Sequence, residues 1–446
     1  MKNKKKFQKK RFRLTPQAIV ALSFLLVIVI GTLLLMLPFA TTNGKGLSFV
    51  HALFMTVTSV CVTGLSVVGN IATEISLFGH IVMAILIEIG GLSFITIAIF
   101  LFSLFGAKIG LTSRYLVKEQ LNQEHTNGVL SLVKKIILIS FTIQGIGALI
   151  TFLLLFFGEG LPFWSSVGIS LFHSISSFNN AGLDCFGDAS MIPYANHVGL
   201  NLVTVLLIFF GGIGFTVVDD LLRQRRWRKL SLHSKVALVT SLILVVVGTL
   251  GYLVSGSGMN FLQSLFLSVS SRTGGFASFP MAEISPSAYA LTIFLMFVGA
   301  SPCSTGGGIK TTTLFAVILG VYSVVTGKDA KSFHRKIAEE DLFKAFSIVV
   351  IMVLMEVLFI FVISRIENDQ SFGIGEIVFE VVSAFSTTGL SMGITRELHA
   401  VSQVLLCLAM FFGRIGPLTI MSMFYRRKEL GEKRQIQYVE ERLMIG

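Results

Sequence analysis

The chain has 446 residues, 53% of them hydrophobic and 13% charged, with a mean hydropathy of +0.81. A soluble domain of this length carries far more surface charge, so the composition marks a membrane protein. The net charge of +12 does not require nucleic acid, because most Lys and Arg fall in five clusters, at 2–13, 108–135, 223–235, 328–344 and 426–442; clusters of this kind face the cytoplasm and place both termini there.

The chain begins with a basic tail, 1–15. The apolar run Ala18 to Leu37 that follows is too long for a signal-peptide core and has no small-residue cleavage site. It reads as a spanning helix with Thr15 as N-cap and Pro16 as first helical residue. Repeat 1 (16–106) has spanning segments at 16–37 and 77–105, and repeat 2 (134–222) at 134–157 and 197–220. Repeat 3 (236–326) has them at 236–254 and 287–325, and repeat 4 (342–425) at 342–364 and 398–424, before a cytoplasmic tail at 426–446. Roughly 20 helical residues cross a ~30 Å hydrocarbon core. Each pair flanks a shorter stretch, 47–60, 162–178, 260–271 or 374–385, which reaches only part of the way and reads as a re-entrant pore helix. The expected fold is an all-α polytopic membrane protein. Its four tandem helix–pore-helix–helix repeats, with eight transmembrane helices, form a pseudo-four-fold pore.

A short phrase follows each half-helix: Thr58–Leu65 (TSVCVTGL), Ser176–Leu183 (SSFNNAGL), Ser270–Phe276 (SSRTGGF) and Ser383–Leu390 (SAFSTTGL). Non-helical backbone at membrane depth is tolerated where it lines a wet cavity or is buried in protein. Rings of backbone carbonyls replace the water of a dehydrated cation without titratable groups. Glycine at the turn lets the backbone approach the ion, and the half-helix presents its negative C-terminal end. The candidate filter carbonyls belong to Val62, Thr63 and Gly64; Asn180, Ala181 and Gly182; Thr273, Gly274 and Gly275; and Thr387, Thr388 and Gly389. Each second helix also carries a small-residue step, at Gly90-Gly91, Gly211-Gly212, Gly299-Ala300 and Gly413-Arg414, lying 26, 29, 24 and 24 residues after the filter glycine. That near-constant spacing marks one unit copied four times, and small pairs also let membrane helices pack closely.

Two cations lie inside the spans. Each can be buried against a carboxylate, with Glu88, Glu356 and Glu380 available, or against carbonyls; Arg272, just before the third filter strand, reads as a brace behind the filter. Arg414 is the one charge at the small-residue step and reads as an electrostatic barrier below the filter. Glu74, Asp184 and Asp188 near the outer mouth are equally well solvated loop acids or cation attractors. The four cysteines, Cys61, Cys185, Cys303 and Cys407, show no paired or metal-ligand spacing and read as free thiols. The eight His residues offer no zinc motif.

The third repeat departs from the others at Gly299-Ala300-Ser301-Pro302-Cys303-Ser304-Thr305-Gly306-Gly307-Gly308-Ile309-Lys310, followed by Thr311 to Thr313. Proline and three glycines interrupt the helix, and the expectation is an unwound gate loop beneath the filter, in this repeat only. It is not a phosphate-binding P-loop, since Ile309 separates Lys310 from the glycines and no strand precedes it.

These strings, VTGL, NAGL, RTGGF and TTGL, with SPCSTGGGIKTTT at 301–313 and FFGRIGP at 411–417, resemble the Trk/Ktr/HKT superfamily of cation transporters. Within it the chain is similar to membrane subunits of the bacterial Ktr potassium uptake systems, over nearly its whole length. The resemblance implies K+ translocation through a pseudo-tetrameric pore, often stimulated by Na+, a gating loop in the third repeat and homodimerisation. It also implies a cytosolic ring of RCK subunits that bind ATP or ADP, a partner this chain does not contain. The expected function is potassium uptake driven by the electrochemical gradient, the membrane potential supplying about 2.3 kcal/mol per charge per 100 mV. A Na+-selective or poorly selective pore is the alternative in the same architecture. A membrane enzyme would need converging acid, base, nucleophile or metal residues, which the spans lack. A structural scaffold does not explain four glycine turns.

Overall fold

Four long apolar helices carry the architecture in the computed structural model, which describes residues 16–93, 96–97, 129–187, 189–370 and 372–416. They run Pro16–Leu35, Val129–Leu153 (continued by a π turn, Leu154–Gly158), Leu232–Val254 and Glu339–Ile366. Each is long and apolar enough to cross a bilayer. Their outward side chains, such as Leu33, Leu138, Leu242 and Phe361, are exposed, as a lipid-facing surface requires. The expected N-cap Thr15 lies outside the described residues, as do both terminal tails and the 98–128 segment.

Each long helix is followed by a short one: Phe49–Val60, Phe163–Phe178, Phe261–Ser270 and Ile374–Ser386. Polar caps start two of them: Ser48 accepts from the His51 amide, and Asn260 forms a capping box with Gln263. With 12, 16, 10 and 13 residues, they stop short of the ~30 Å core thickness. Phe54, Phe178, Phe266 and Phe385 on them are fully buried, while Phe49, Trp164, Phe261 and Ile374 near their starts are exposed, so the C-terminal ends of these helices sit inside the protein although they end in backbone loops.

The second helices close the molecule on itself. Leu77–Leu92 packs against the short helix of repeat 2, Val198–Gly212 against that of repeat 3, Pro286–Phe297 against that of repeat 4, and Ala400–Ile415 against that of repeat 1. Every seam therefore joins one repeat to the next around a closed ring.

These second helices correct two expectations. Continuous helices over 77–105, 197–220, 287–325 and 398–424 do not form; the helices end at Leu92, Gly212, Phe297 and Ile415, at or within two residues of the small-residue step. Ser93 (φ +72°), Gly214 (φ +98°) and Gly416 (φ +89°) take the chain out of helix in repeats 1, 2 and 4. In repeat 2 the continuation, Phe215–Gln224, bends away by 94°. The described helices thus end near the small-residue step in every repeat, and in repeat 3 the interruption runs from Phe297 to Thr311. Apolar residues on both sides hide such breaks from hydropathy. Thr311, Thr312 and Thr313 belong to the following helix, Thr311–Thr326. Between repeats 3 and 4 a two-residue hairpin pairs Lys331–Ser332 with Arg335–Lys336 over a turn in which Phe333 and His334 are left-handed.

Candidate ion pathway

The loops after the four short helices share one backbone. Val62, Asn180, Thr273 and Thr387 each have positive φ, at +49°, +58°, +71° and +50°. Each stands two residues before the glycine of its strand, and Gly64, Gly182, Gly275 and Gly389 are again at positive φ, between +66° and +107°. The four glycines converge. A methyl group on Gly64 would lie 2.8 Å from the Ala181 carbonyl oxygen and 3.1 Å from Gly182 Cα; one on Gly182 would lie 2.7 Å from Gly275 Cα. On Gly275 it would meet the Thr388 carbonyl at 2.5 Å, and on Gly389 it would lie 2.7 Å from Gly64 Cα. Sequence repeats 1 to 4 thus form a spatial ring of touching backbone with carbonyls from Thr63, Ala181, Gly274 and Thr388 around it. No side chain fits at the ring, which is why all four strands carry glycine.

What holds these strands was missed in the sequence, although it stands at the head of every phrase. Thr58 Oγ1 accepts from the Gly64 amide at 2.9 Å and Ser383 Oγ from the Gly389 amide at 3.0 Å. Ser176 Oγ accepts from the Leu183 amide at 3.1 Å, and Ser270 donates to the Phe276 carbonyl at 2.5 Å. Each hydroxyl sits in the last turns of its short helix and reaches the strand just beyond. The signal was the recurrence of Ser or Thr at the first position of the phrase.

The small-residue step behaves alike in three repeats. A side chain on Gly90, Gly211 or Gly413 would strike the carbonyl of Val60, Phe178 or Phe385, at or near the end of its own repeat's short helix. In repeat 3 the same position, Gly299, instead faces Gly307 of the long loop. The loop is inserted where the others have direct helix contact.

The 299–310 loop is a closed structure. Val298 bridges Ile309, Ala300 donates to the Gly307 carbonyl, and the Thr311 amide donates to the Ala300 carbonyl. Lys310 Nζ folds back onto the Gly306 and Gly307 carbonyls at 2.7 and 3.2 Å. The loop also completes the broken helix of repeat 2. Ser301 and Thr305 donate to the Gly212 and Gly211 carbonyls at 2.9 and 3.2 Å, while the Phe215 amide donates to Cys303. Pro302 and Ser304 lie in the turn between, and Gly308 is left-handed. Gly306 presses on Thr273 and Gly307 on Thr387, so the loop lies against the residues that lead into the candidate filter.

Arg414 donates from Nη1 to the Thr305 carbonyl and from Nη2 to the Gly90 carbonyl, and lies 3.3 Å from the Gly91 carbonyl. Its partners are carbonyls rather than a carboxylate. Arg272 is also buried, and its Nε and Nη1 atoms meet no acceptor among the described residues. Neither cation pairs with the carboxylates named from the sequence. Glu88 accepts from Asn179 at 2.7 Å and from Gln144 at 3.1 Å; Glu380 accepts from Ser391, the Met392 amide and Thr395. Glu356 is buried with Oε1 unbonded. Glu88 and Glu380 instead hold the segments beside the second and fourth strands.

Beyond the glycine ring opens a cavity of about 510 Å³, lined by all four glycines and the loops that follow them. Asp184 and Arg396 are the charged groups among its described lining residues. The Asp184 carboxylate accepts from Ser190 at 2.6 Å and from the Phe186 amide at 3.1 Å. Burial pushes its carboxyl up to about 6, against the pull of those hydrogen bonds. Glu74 sits at the rim near Gly69 and Arg396; Asp188 lies outside the described residues. None of the four cysteines is in a disulfide, and no cluster of His, Cys, Asp or Glu fit for a metal occurs among the described residues.

Four half-helices, their carbonyl-lined glycine turns and one inserted loop form a closed pseudo-four-fold ring. The chain belongs to the cation transport protein (TrkH) family, whose model matches residues 2–254 and 235–430. It is 38% identical to the Ktr system potassium uptake protein B of Bacillus subtilis, over 97% of both chains. It is 35% identical to the potassium/sodium uptake protein NtpJ of Enterococcus hirae, over 98% of both. The potassium transporter TrkH from Vibrio parahaemolyticus shares the fold, with a TM-score of 0.72 at 19% identity, covering 95% of this chain and 87% of that one. These relatives are transporters, not enzymes.

Proposed function

We propose that the chain takes up K+ through the axis of the glycine ring, with the 299–310 loop as its gate. The observation that carries this reading is the four-fold recurrence of a left-handed residue, a carbonyl and a left-handed glycine meeting at one ring. Backbone oxygens at such a ring replace ion hydration without a titratable group. K+ enters from the 510 Å³ cavity, sheds water at Val62–Gly64, Asn180–Gly182, Thr273–Gly275 and Thr387–Gly389, and passes inward when the loop withdraws. The membrane potential drives it. The names of the relatives, potassium uptake for one and potassium/sodium uptake for the other, support K+ as the ion and keep Na+ as a co-factor of uptake or a second permeant ion.

The clustered Lys and Arg support an orientation with the termini and the inter-repeat loops in the cytoplasm. The exposed basic stretch Arg223–Lys229 and the 331–336 hairpin suit an acidic cytosolic partner. That partner is an RCK ring that binds ATP or ADP, and two copies of this chain share it as a homodimer. The test is Rb+ uptake at limiting K+ in potassium-uptake-deficient bacteria, with and without an RCK subunit. Uptake that the partner raises supports the reading. Correctly inserted protein that passes no Rb+ with the partner present removes it.

A further inference from the structure

Within this proposed pore, loop and filter meet at one side chain. The Thr305 hydroxyl lies 3.2 Å from the Phe178 carbonyl oxygen and 3.3 Å from Asn180 Oδ1. Its single proton serves one of them or is shared between both. Asn180 then donates through Nδ2 to Thr273 Oγ1 at 3.1 Å. Thr305, Asn180 and Thr273 are all fully buried. A buried amide keeps its orientation only while its partners stay in place.

Asn180 and Thr273 are not bystanders to the filter. They are its left-handed entry residues in repeats 2 and 3, and their own carbonyls begin the candidate ion ladder. The corresponding positions in the other repeats offer no such link. The Val62 side chain has no polar atom, and Thr387 Oγ1, against which Gly307 rests, has no hydrogen-bond partner among the described residues. The contact from loop to filter is therefore polar and directional on one side of the ring and purely steric on the other.

We propose that Asn180 is a positioning residue through which the gate loop sets ion selection. With the loop seated, Thr305 fixes the Asn180 carboxamide, which fixes Thr273, and the strands of repeats 2 and 3 keep the spacing that discriminates between cations. Opening moves the Gly306–Gly308 part of the loop off the axis and leaves the Thr305 hydroxyl on Asn180, so the strands of repeats 2 and 3 keep that spacing while ions pass; without the hydroxyl the carboxamide turns or hydrates and the two strands relax. This rests on the pore reading above and adds to it a link that a simple plug does not possess.

The experiment uses purified full-length protein in liposomes, reading the K+ to Na+ permeability ratio from bi-ionic potentials and the basal Rb+ flux without a partner. Thr305→Val removes the hydroxyl but keeps the side-chain shape, the Thr305 amide bond to Gly211 and the carbonyl bond from Arg414. It should lower the permeability ratio by about three- to tenfold, the size expected for one lost hydrogen bond, and raise basal flux. Thr305→Ser restores the donor and should match the wild type in both readings. Asn180→Leu should lower the ratio to a similar degree, and the double variant should be no worse than Asn180→Leu alone, because both remove one chain of bonds. Higher flux with an unchanged ratio in Thr305→Val overturns the coupling and leaves a plug. Additive losses in the double variant also overturn it. Wild-type protein that passes no cation removes the pore reading itself, a failure recognisable before any variant is compared.

Discussion

Arg414 and Thr305 are joined by a hydrogen bond from the guanidinium to the loop carbonyl, so the second helix of repeat 4 holds the inserted loop of repeat 3. The same guanidinium reaches the Gly90 carbonyl of repeat 1, and the Thr305 amide reaches Gly211 of repeat 2. One residue of the loop is thereby tied, directly or through Arg414, to every repeat.

That geometry separates two roles for Arg414. As an electrostatic barrier it acts through charge alone; as a latch it acts through the fork of its donors, which Lys cannot reproduce. Charge-assisted hydrogen bonds contribute about 1.5–3 kcal/mol each, so losing one shifts the seated loop toward withdrawal by about tenfold or more. Partner-free Rb+ flux should therefore rise in both Arg414→Gln and Arg414→Lys. A Lys variant with wild-type flux beside a leaky Gln variant would sink the latch and restore the barrier.

Gly275→Ser tests the glycine ring. The position has φ +81° and no space for a Cβ, which would meet the Thr388 carbonyl at 2.5 Å and Gly182 Cα at 2.7 Å. Strand 3 must move off the axis to accommodate it. K+ affinity and the preference over Na+ should both fall by about tenfold or more, the cost of displacing one well-placed polar contact, while the protein stays folded and inserted. Competition of Na+ with Rb+ uptake reads the change; an unaltered inhibition constant would take Gly275 out of the selective ring.

Much of this was legible in the sequence because the repeat is written four times. The long helices declare themselves through uninterrupted apolar length, and the glycine turns through their register after a half-helix. The breaks at Ser93 and Gly214 were not legible, since each is one residue with positive φ inside an apolar run and hydropathy does not register a backbone angle; the end at Gly416 stood in the sequence as a glycine followed by Pro417. Carbonyls stood beside carboxylates as partners for Arg414, and charge alone does not choose between them; broken helices leave carbonyls without amide partners, and these are what the buried guanidinium finds. The strand-holding hydroxyls lay in plain view, but a Ser or Thr in a membrane helix bonds its own backbone so often that one copy says nothing. Only their fixed offset from the glycine separates Thr58 and Ser383 from the rest.

Those hydroxyls should tune affinity more than folding. Ser383→Ala removes the acceptor for the Gly389 amide and Thr58→Val that for Gly64, each a single bond of about 1 kcal/mol. Half-saturation for Rb+ should rise by about fivefold in each, with the maximal rate changing less. Thermal unfolding of the detergent-solubilised protein should move by only a few degrees. An unchanged half-saturation in both variants would show that the strands keep their place without these bonds.

Asp184 gives the pathway a pH dependence whose sign follows from its surroundings. Its carboxyl is pushed up to about 6 by burial. It is therefore largely ionised above pH 7 and neutral below about pH 5, by the usual one-unit margin on either side. The ionised form attracts cations into the vestibule that leads to the glycine ring; once protonated, it leaves Arg396 as the charged group among the described lining residues. Rb+ uptake at sub-saturating concentration should fall as the vestibule side is acidified from pH 7.5 to 5. Stability should move the other way. A carboxyl whose folded value exceeds the ordinary 3.8 binds its proton more tightly in the native state, so its burial costs stability at neutral pH and the cost is relieved as pH falls toward that ordinary value. Lost uptake without lost thermal stability is thus the expected signature, and Asp184→Asn should be low and flat across the range. A variant that still loses uptake through pH 6 as the wild type does would assign the titration to another group.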